Sequence, residues 1–142
     1  AGGIAYAIKQ VRPDVVITAV SADRATVMLN SLGSGRPIEM EEESTLANAL
    51  SGGIGLANRY SFALVRDYID RHVTVPEEAI AQAMEYAART LHLVVEGGGA
   101  VPLAAILSGA WTPSRQGGKV ALVLSGGNVS AERMDGVLEA PG

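Results

Sequence analysis

"KVALVLSGGN", Lys119–Asn128, is the stretch that decides the fold. Val120–Leu124 is an unbroken apolar run, the pattern of a strand buried on both faces of a sheet. It stops at Ser125-Gly126-Gly127-Asn128. Two glycines at a strand end let a backbone turn tightly or approach another group without a Cβ in the way. In open sheets whose strands are joined by helices, ligands bind beyond the carboxyl ends of the strands. Ser125–Gly127 is therefore a candidate ligand-facing turn.

Two more glycine clusters fit the same plan. "HLVVEGGGA" runs from a strand-like segment into Glu96 and Gly97–Gly99, then into a small-residue helix over Val101–Leu107 that Ser108-Gly109 ends. "AGG" at positions 1–3 opens a short Ala-rich helix over Ile4–Val11, and the free N–H groups of such a helix start can receive a phosphate. Taken singly, each glycine is equally well read as an ordinary turn former.

The segments between them alternate. "VVITAV", Val15–Val20, is continuous and β-branched, a second buried strand; Ala22–Leu32 follows as a helix stopped by Gly33. "SGRPIEMEEEST" reads as a polar loop with a short edge strand at Pro37–Met40, and Glu41–Glu43 as a solvated face. Phe62–Arg71 is amphipathic through Phe62, Val65 and Ile69. "HVTV" is a short strand. Pro76-Glu77-Glu78 opens the clearest helix, with Pro at its first position, two acids at the positive end of its dipole, and a buried stripe of Ile80, Met84, Ala87 and Leu91. "WTPSRQGGK" is a turn-rich loop in which Trp111 serves as a packing anchor or interface residue, and Ser130–Leu138 forms a last short helix. Strands alternating with helices specify an α/β chain with a mostly parallel sheet flanked by helices.

Bulk properties narrow the function. The 142 residues suit one domain, 48% are apolar, and the net charge of −4 excludes a broad nucleic-acid footprint. No apolar stretch is long enough to cross a bilayer, so no membrane partner is expected. The absence of cysteine excludes thiolate metal sites and fits a cytoplasmic setting. His72 and His92 stand twenty residues apart without acidic companions at ligand spacing and read as structural.

The ordered set of motifs resembles a known family. "EGGGAVPLAAILSG" followed by "VALVLSGGNVS", with "STLANALSGGIGLANRYSFALVRDYIDRHVTVPEEAI" before them and "AGGIA" at the start, is similar to the C-terminal part of the pyridoxal-phosphate-dependent serine/threonine dehydratases, fold-type II enzymes of the tryptophan-synthase-β class. "VSADRATVM" and "GGIGLANRYSF" most resemble the hydroxyectoine-utilisation branch.

The resemblance implies pyridoxal 5′-phosphate as cofactor and β-elimination of water from a hydroxy-amino acid, giving a keto acid and ammonia. It implies that Ser125 meets the pyridine nitrogen, with Gly126 in the same turn. A serine hydroxyl is neutral, both donor and acceptor, and cannot hold a proton on that nitrogen firmly. Glu96 would lie near the ring, Gly53, Ile54 and Gly55 along its edge, and Gly2 and Gly3 at the helix end facing the phosphate. The cation site of several family members would fall on Ser21 and Val27, neither a carboxylate, so no metal is expected; Asn48 stands where the family often has Asp. Members commonly form dimers, so a homodimer is expected.

The family needs a lysine that anchors the cofactor as a Schiff base. The chain has Lys9 and Lys119. Lys119 is six strand steps, roughly 20 Å, from Ser125. Lys9 lies roughly 9 Å along a helix axis leading away from Gly3. Neither reaches a ring held at Ser125, so the lysine is expected upstream, with the small domain. Residues 1–142 then form a single α/β fragment of the large domain, its partner the missing N-terminal half of the same enzyme. The fragment alone would be inactive and would expose an apolar sheet edge. Two alternatives stay open at this point: a non-catalytic α/β ligand-binding or regulatory domain, and a nucleotide-binding Rossmann half-domain in which "GGIGLAN" serves as the dinucleotide loop.

Overall fold

Two strands pair in parallel at the centre of the chain. The computed structural model describes residues 1–113 and 117–139. Strand β1 (Thr18–Ala22) lies beside β2 (Arg71–Val75), in register from Thr18 opposite Arg71 to Ala22 opposite Val75. The parallel sheet is as expected, but β1 begins three residues later than the β-branched run suggested. Val15 N–H donates to Arg12 O in a turn, and Ile17 N–H is taken by the Asp70 carboxylate at 2.7 Å. The run can therefore join the ladder only from Thr18.

Helix α1 (Gly2–Val11) precedes β1 and takes both early glycines into its first turn, two residues earlier than expected. Helix α2 (Val27–Gly33) starts five residues later than expected, because Ala22 belongs to β1 and Asp23 N–H continues the strand contact to Val75 O at 2.9 Å. Its stop is Gly35, whose φ of +70° is the left-handed position that favours glycine. No edge strand forms at Pro37–Met40, and Glu41–Glu43 are exposed.

A single helical turn, α3 (Asn48–Ser51), leads toward α4 (Ser61–Tyr68), which buries Phe62 and Val65. Asn58 sets the start of α4: its Oδ1 accepts Phe62 N–H at 2.9 Å. Ile69 and Arg71 lie beyond the helix end, since Arg71 opens β2.

Helix α5 (Glu77–Thr90) buries Ala79, Ile80, Ala83, Met84 and Ala87 at helical spacing. Pro76 is its N-cap, not its first helical residue. Leu91, expected in the stripe, is 41% exposed because the helix ends before it and His92 turns the chain with φ +57°. Helix α6 (Gly97–Leu107) starts inside the glycines, four residues before the expected Val101. It is buried on nearly every side and packs against α5, β1 and β2. Trp111 is half-buried against this core, and its backbone N–H donates to Ala105 O. Residues 114–116 of the turn-rich loop lie outside the described residues. Ser130 caps α7 (Ala131–Leu138) by accepting Arg133 N–H, and Met134 and Val137 dock on the core.

The strand expected over Val120–Leu124 does not form, and neither does the strand-like piece at His92–Val95. Val120, Leu122 and Val123 are 42%, 38% and 52% exposed, and only Leu124 reaches the core. A strand requires a hydrogen-bonding neighbour; among the described residues none pairs with this run. The expected apolar edge is thus an exposed extended row and not the edge of a formed sheet.

One ion-paired clamp ties α1 to the sheet. Lys9 Nζ donates to Val15 O at 2.8 Å, Pro13 O at 3.3 Å and Asp70 Oδ1 at 2.9 Å, and Asp70 Oδ2 accepts Ile17 N–H. The Lys9 hydrogen bond, then that from Ile17, holds the Asp70 carboxyl below its usual range. A depressed carboxylate stabilises the fold above the unfolded-state pKa of about 3.9, and that contribution is lost as pH falls through the folded value. Asp70→Asn should cost about 1 kcal/mol at neutral pH, a low figure because the Asp70 side chain is 37% exposed. Urea unfolding from pH 7 to pH 3 should show wild-type and variant converging toward the acid end.

Candidate cofactor-side surface

The Ser125–Asn128 turn sits on the start of α6. Glu96 N–H donates to Gly126 O at 3.1 Å, and Asn128 N–H donates back to Glu96 Oε2 at 3.1 Å. Glu96, expected near the cofactor ring, is thereby held by the Ser125–Asn128 turn. Ser125 is exposed beside this lock.

Glycine makes the approach possible. A Cβ on Gly99 would lie 1.8 Å from Ser125 O, and one on Gly97 would lie 2.2 Å from Leu46 O. Gly126 has φ +82°, and a Cβ there would meet Glu96 Oε1 at 2.3 Å. These glycines answer to the protein's own backbone packing. Gly98 touches α3, where a Cβ would stand 3.4 Å from Ala49 Cβ and 3.7 Å from Leu50 Cγ.

Through Ala49 and Leu50, α3 connects this lock to a cavity of about 420 Å³, within the usual size range of small-molecule sites. Its wall includes Ala1 and Gly2 at the start of α1, Gly53 and Ile54 after α3, and Ser21 of β1. Gly2 is buried because α4 packs on it: a Cβ would lie 2.9 Å from Leu64 Cβ. Gly53 differs. Its φ is ordinary, and a Cβ there would meet nothing within 4 Å, so no packing among the described residues calls for glycine. Gly55 has φ +78° and needs glycine for that conformation alone. Gly3 is exposed on α1 with open space around it.

The structure thus brings Ser125, Gly126 and Glu96 together, and Gly2 and Gly53 together, with α3 between the two groups. His72, read as structural, also lines the cavity, and desolvation lowers its imidazole pKa. Ser21 and Val27, the two positions at which no carboxylate was available for a cation, both line the cavity. "GGIGLAN" follows α3 and no strand, so the dinucleotide loop of the Rossmann alternative is not built.

Comparison with known proteins agrees with this geometry. The pyridoxal-phosphate dependent enzyme family matches residues 1–126, and the chain belongs to that family. It is 35% identical over 136 residues to an L-threonine ammonia-lyase of Thermotoga maritima, covering 96% of this chain and 33% of that protein. Among solved structures, a T.th. threonine deaminase superposes with a TM-score of 0.79 at 34% identity, covering 91% of this chain and 46% of the other. Maize serine racemase superposes with a TM-score of 0.83 at 30% identity, covering 95% and 42%. The chain spans less than half the length of each of these relatives. Its residues fit the family's cofactor: a cavity of suitable size lies between a helix start and a wall in which Gly53 has no packing neighbour among the described residues.

The two kinds of glycine separate in a stability measurement. Gly99→Ala drives a Cβ into a carbonyl oxygen and should destabilise by about 2–4 kcal/mol. Gly53→Ala should leave stability unchanged or raise it by up to about 1 kcal/mol. Chemical denaturation of the two variants beside wild type checks the contrast.

Proposed function

We propose that this chain is the cofactor-side portion of the large domain of a pyridoxal-phosphate-dependent dehydratase, an ammonia-lyase. The reaction removes water from a hydroxy-amino acid of the threonine or serine type, and the resulting enamine, as its imine, takes up water to give a keto acid and ammonia. The observation that carries the reading is the Glu96–Gly126–Asn128 lock, which leaves the Ser125 hydroxyl exposed at the end of a surface leading to the cavity. When bound, pyridoxal phosphate supplies an electron sink for the pair left by the Cα–H bond. The chain's own part is orientation. Ser125 offers the ring nitrogen a neutral hydrogen bond, Gly126 keeps the turn tight, and Glu96 holds the turn in place. Gly53 and Gly55 keep the wall beside the ring free of side chains, and the α1 start at Gly2 and Gly3 receives the phosphate.

The anchoring lysine comes from outside the chain in this reading. Lys9 is fully engaged with Asp70 and two carbonyls, and Lys119 is exposed at the far end of the extended row. The exposed row Val120, Leu122 and Val123 is then the face that receives strands of the N-terminal half. A homodimer in the cytoplasm belongs to the same reading.

The test uses the longer protein that carries this chain. Mixed with L-threonine, L-serine and a hydroxyectoine-derived hydroxy-amino acid, it should release keto acid and ammonia in equal amounts. It should retain pyridoxal phosphate through gel filtration, eluting as a dimer by light scattering. Ser125→Ala should weaken that retention by about three- to tenfold, the loss of one hydrogen bond. Retention without turnover would favour a non-catalytic binding domain; no retention would sink the proposal.

A further inference from the structure

The residues that hold the cofactor-side surface together include three that do not touch it. Thr45 is 5% exposed, one of the few buried polar side chains among the described residues. Its hydroxyl donates to Glu77 Oε1 and accepts Ala47 N–H at 3.0 Å. The other Glu77 oxygen accepts Leu46 N–H at 2.7 Å. From the opposite side, Arg133 donates to Thr45 O at 3.1 Å. Residues 45–47 are therefore gripped by the first residue of α5 and by α7, elements 31 or more positions away in sequence.

This grip acts on the next helical turn. Ala47 is wholly buried and its carbonyl accepts Leu50 N–H at 2.8 Å, closing α3. Leu46 O sits against Gly97, and Ala49 and Leu50 meet Gly98 and line the cavity. Arg133 also donates its backbone N–H to Ser130, five residues after Ser125. One half-buried carboxylate thus sets where α3 stands relative to α6, and α7 ties the same point to the segment leaving the Ser125 turn. Hydrogen bonds to a carboxylate are the strong kind, and the buried Thr45 hydroxyl would be costly to leave unpaired.

We propose that Glu77 is a positioning residue: through Thr45 and Leu46 it fixes α3 so that the cavity wall and the Ser125 turn can hold one planar ligand together. This inference rests on the function proposed above. Its test is made in the longer protein with pyridoxal phosphate as probe. Glu77→Ala and Thr45→Val should each weaken equilibrium binding of the cofactor by about tenfold, the scale of one charge-assisted hydrogen bond. Thr45→Ser, which keeps the hydroxyl, should stay within about twofold of wild type. Glu78→Ala removes the neighbouring first-turn acid of α5 and controls for the helix dipole; it should also stay within about twofold. Amide exchange should speed up at Leu46, Ala47 and Leu50 in the first two variants, while Ala83 and Met84 in the middle of α5 stay protected.

Cofactor binding unchanged in Glu77→Ala despite faster exchange at Leu46 would make the grip merely structural and overturn the inference. Equal acceleration through α5 would mean general destabilisation and overturn it too. A wild-type protein that binds no pyridoxal phosphate overturns the proposed function; a wild type that binds, with Glu77→Ala binding equally well, overturns this inference alone.

Discussion

The structure depends on two carbonyl oxygens pressed against the start of α6. Leu46 O meets Gly97, and Ser125 O meets Gly99, each at a distance that any Cβ would forbid. Carbonyl oxygens carry partial negative charge, and a helix start carries partial positive charge, so the contacts are electrostatically favourable as well as close. They place two segments, one far before the helix in sequence and one well after it, on the same helical turn. The turn that presents Ser125 and the helical turn of α3 both meet the molecule's core there, and the Glu96 and Glu77 hydrogen bonds keep them in place. A bulkier helix start would push both away and dismantle the surface without touching a residue that meets the ligand.

That constraint divides the glycines by cause. Gly97, Gly99, Gly126 and Gly127 answer to backbone or side-chain atoms of the protein itself, the last with a Cβ position 2.9 Å from Val94 O. Gly2 answers to α4. Gly53 lines the cavity and answers to no packing contact among the described residues. In the sequence all of these are the same letter in similar clusters, and only the packing separates them.

The legible parts of the sequence were those whose physics is local. The α5 pattern of Ile80, Met84 and Ala87 repeats at helical spacing and ends within a residue of its expected limits. The glycine-bearing ends at Gly97–Gly99 and Ser125–Asn128 were found, and the structure joins them. What escaped was set at long range. Val120–Leu124 has strand composition, but a strand is a property of a pair, and no neighbour is present among the described residues. The start of α6 escaped because glycine disfavours helix, and here tertiary packing overrides that preference. Glu77 looked like a dipole acid because the sequence places it beside Glu78. Its partner Thr45 lies 32 residues earlier, behind three exposed glutamates, and nothing local marks the pair.

The charges around the surface follow one logic under the proposed function. Helix α1, whose start borders the cavity, has no acid in its first turn, a feature it shares with α2, α3 and α4, whereas α5 and α7 begin with Glu77, Glu78 and Glu132. The positive end of α1 is thus left uncompensated where a phosphate would lie. At α6 the arrangement is reversed: Glu96 stands at the N-cap, and its carboxylate is occupied by Asn128 N–H. That end is already balanced, suited to a neutral ring met by the Ser125 hydroxyl and not to an anion. Lys9 is spent on Asp70, and desolvation presses His72 toward its neutral form. Under the proposed function these groups fix orientation and local field.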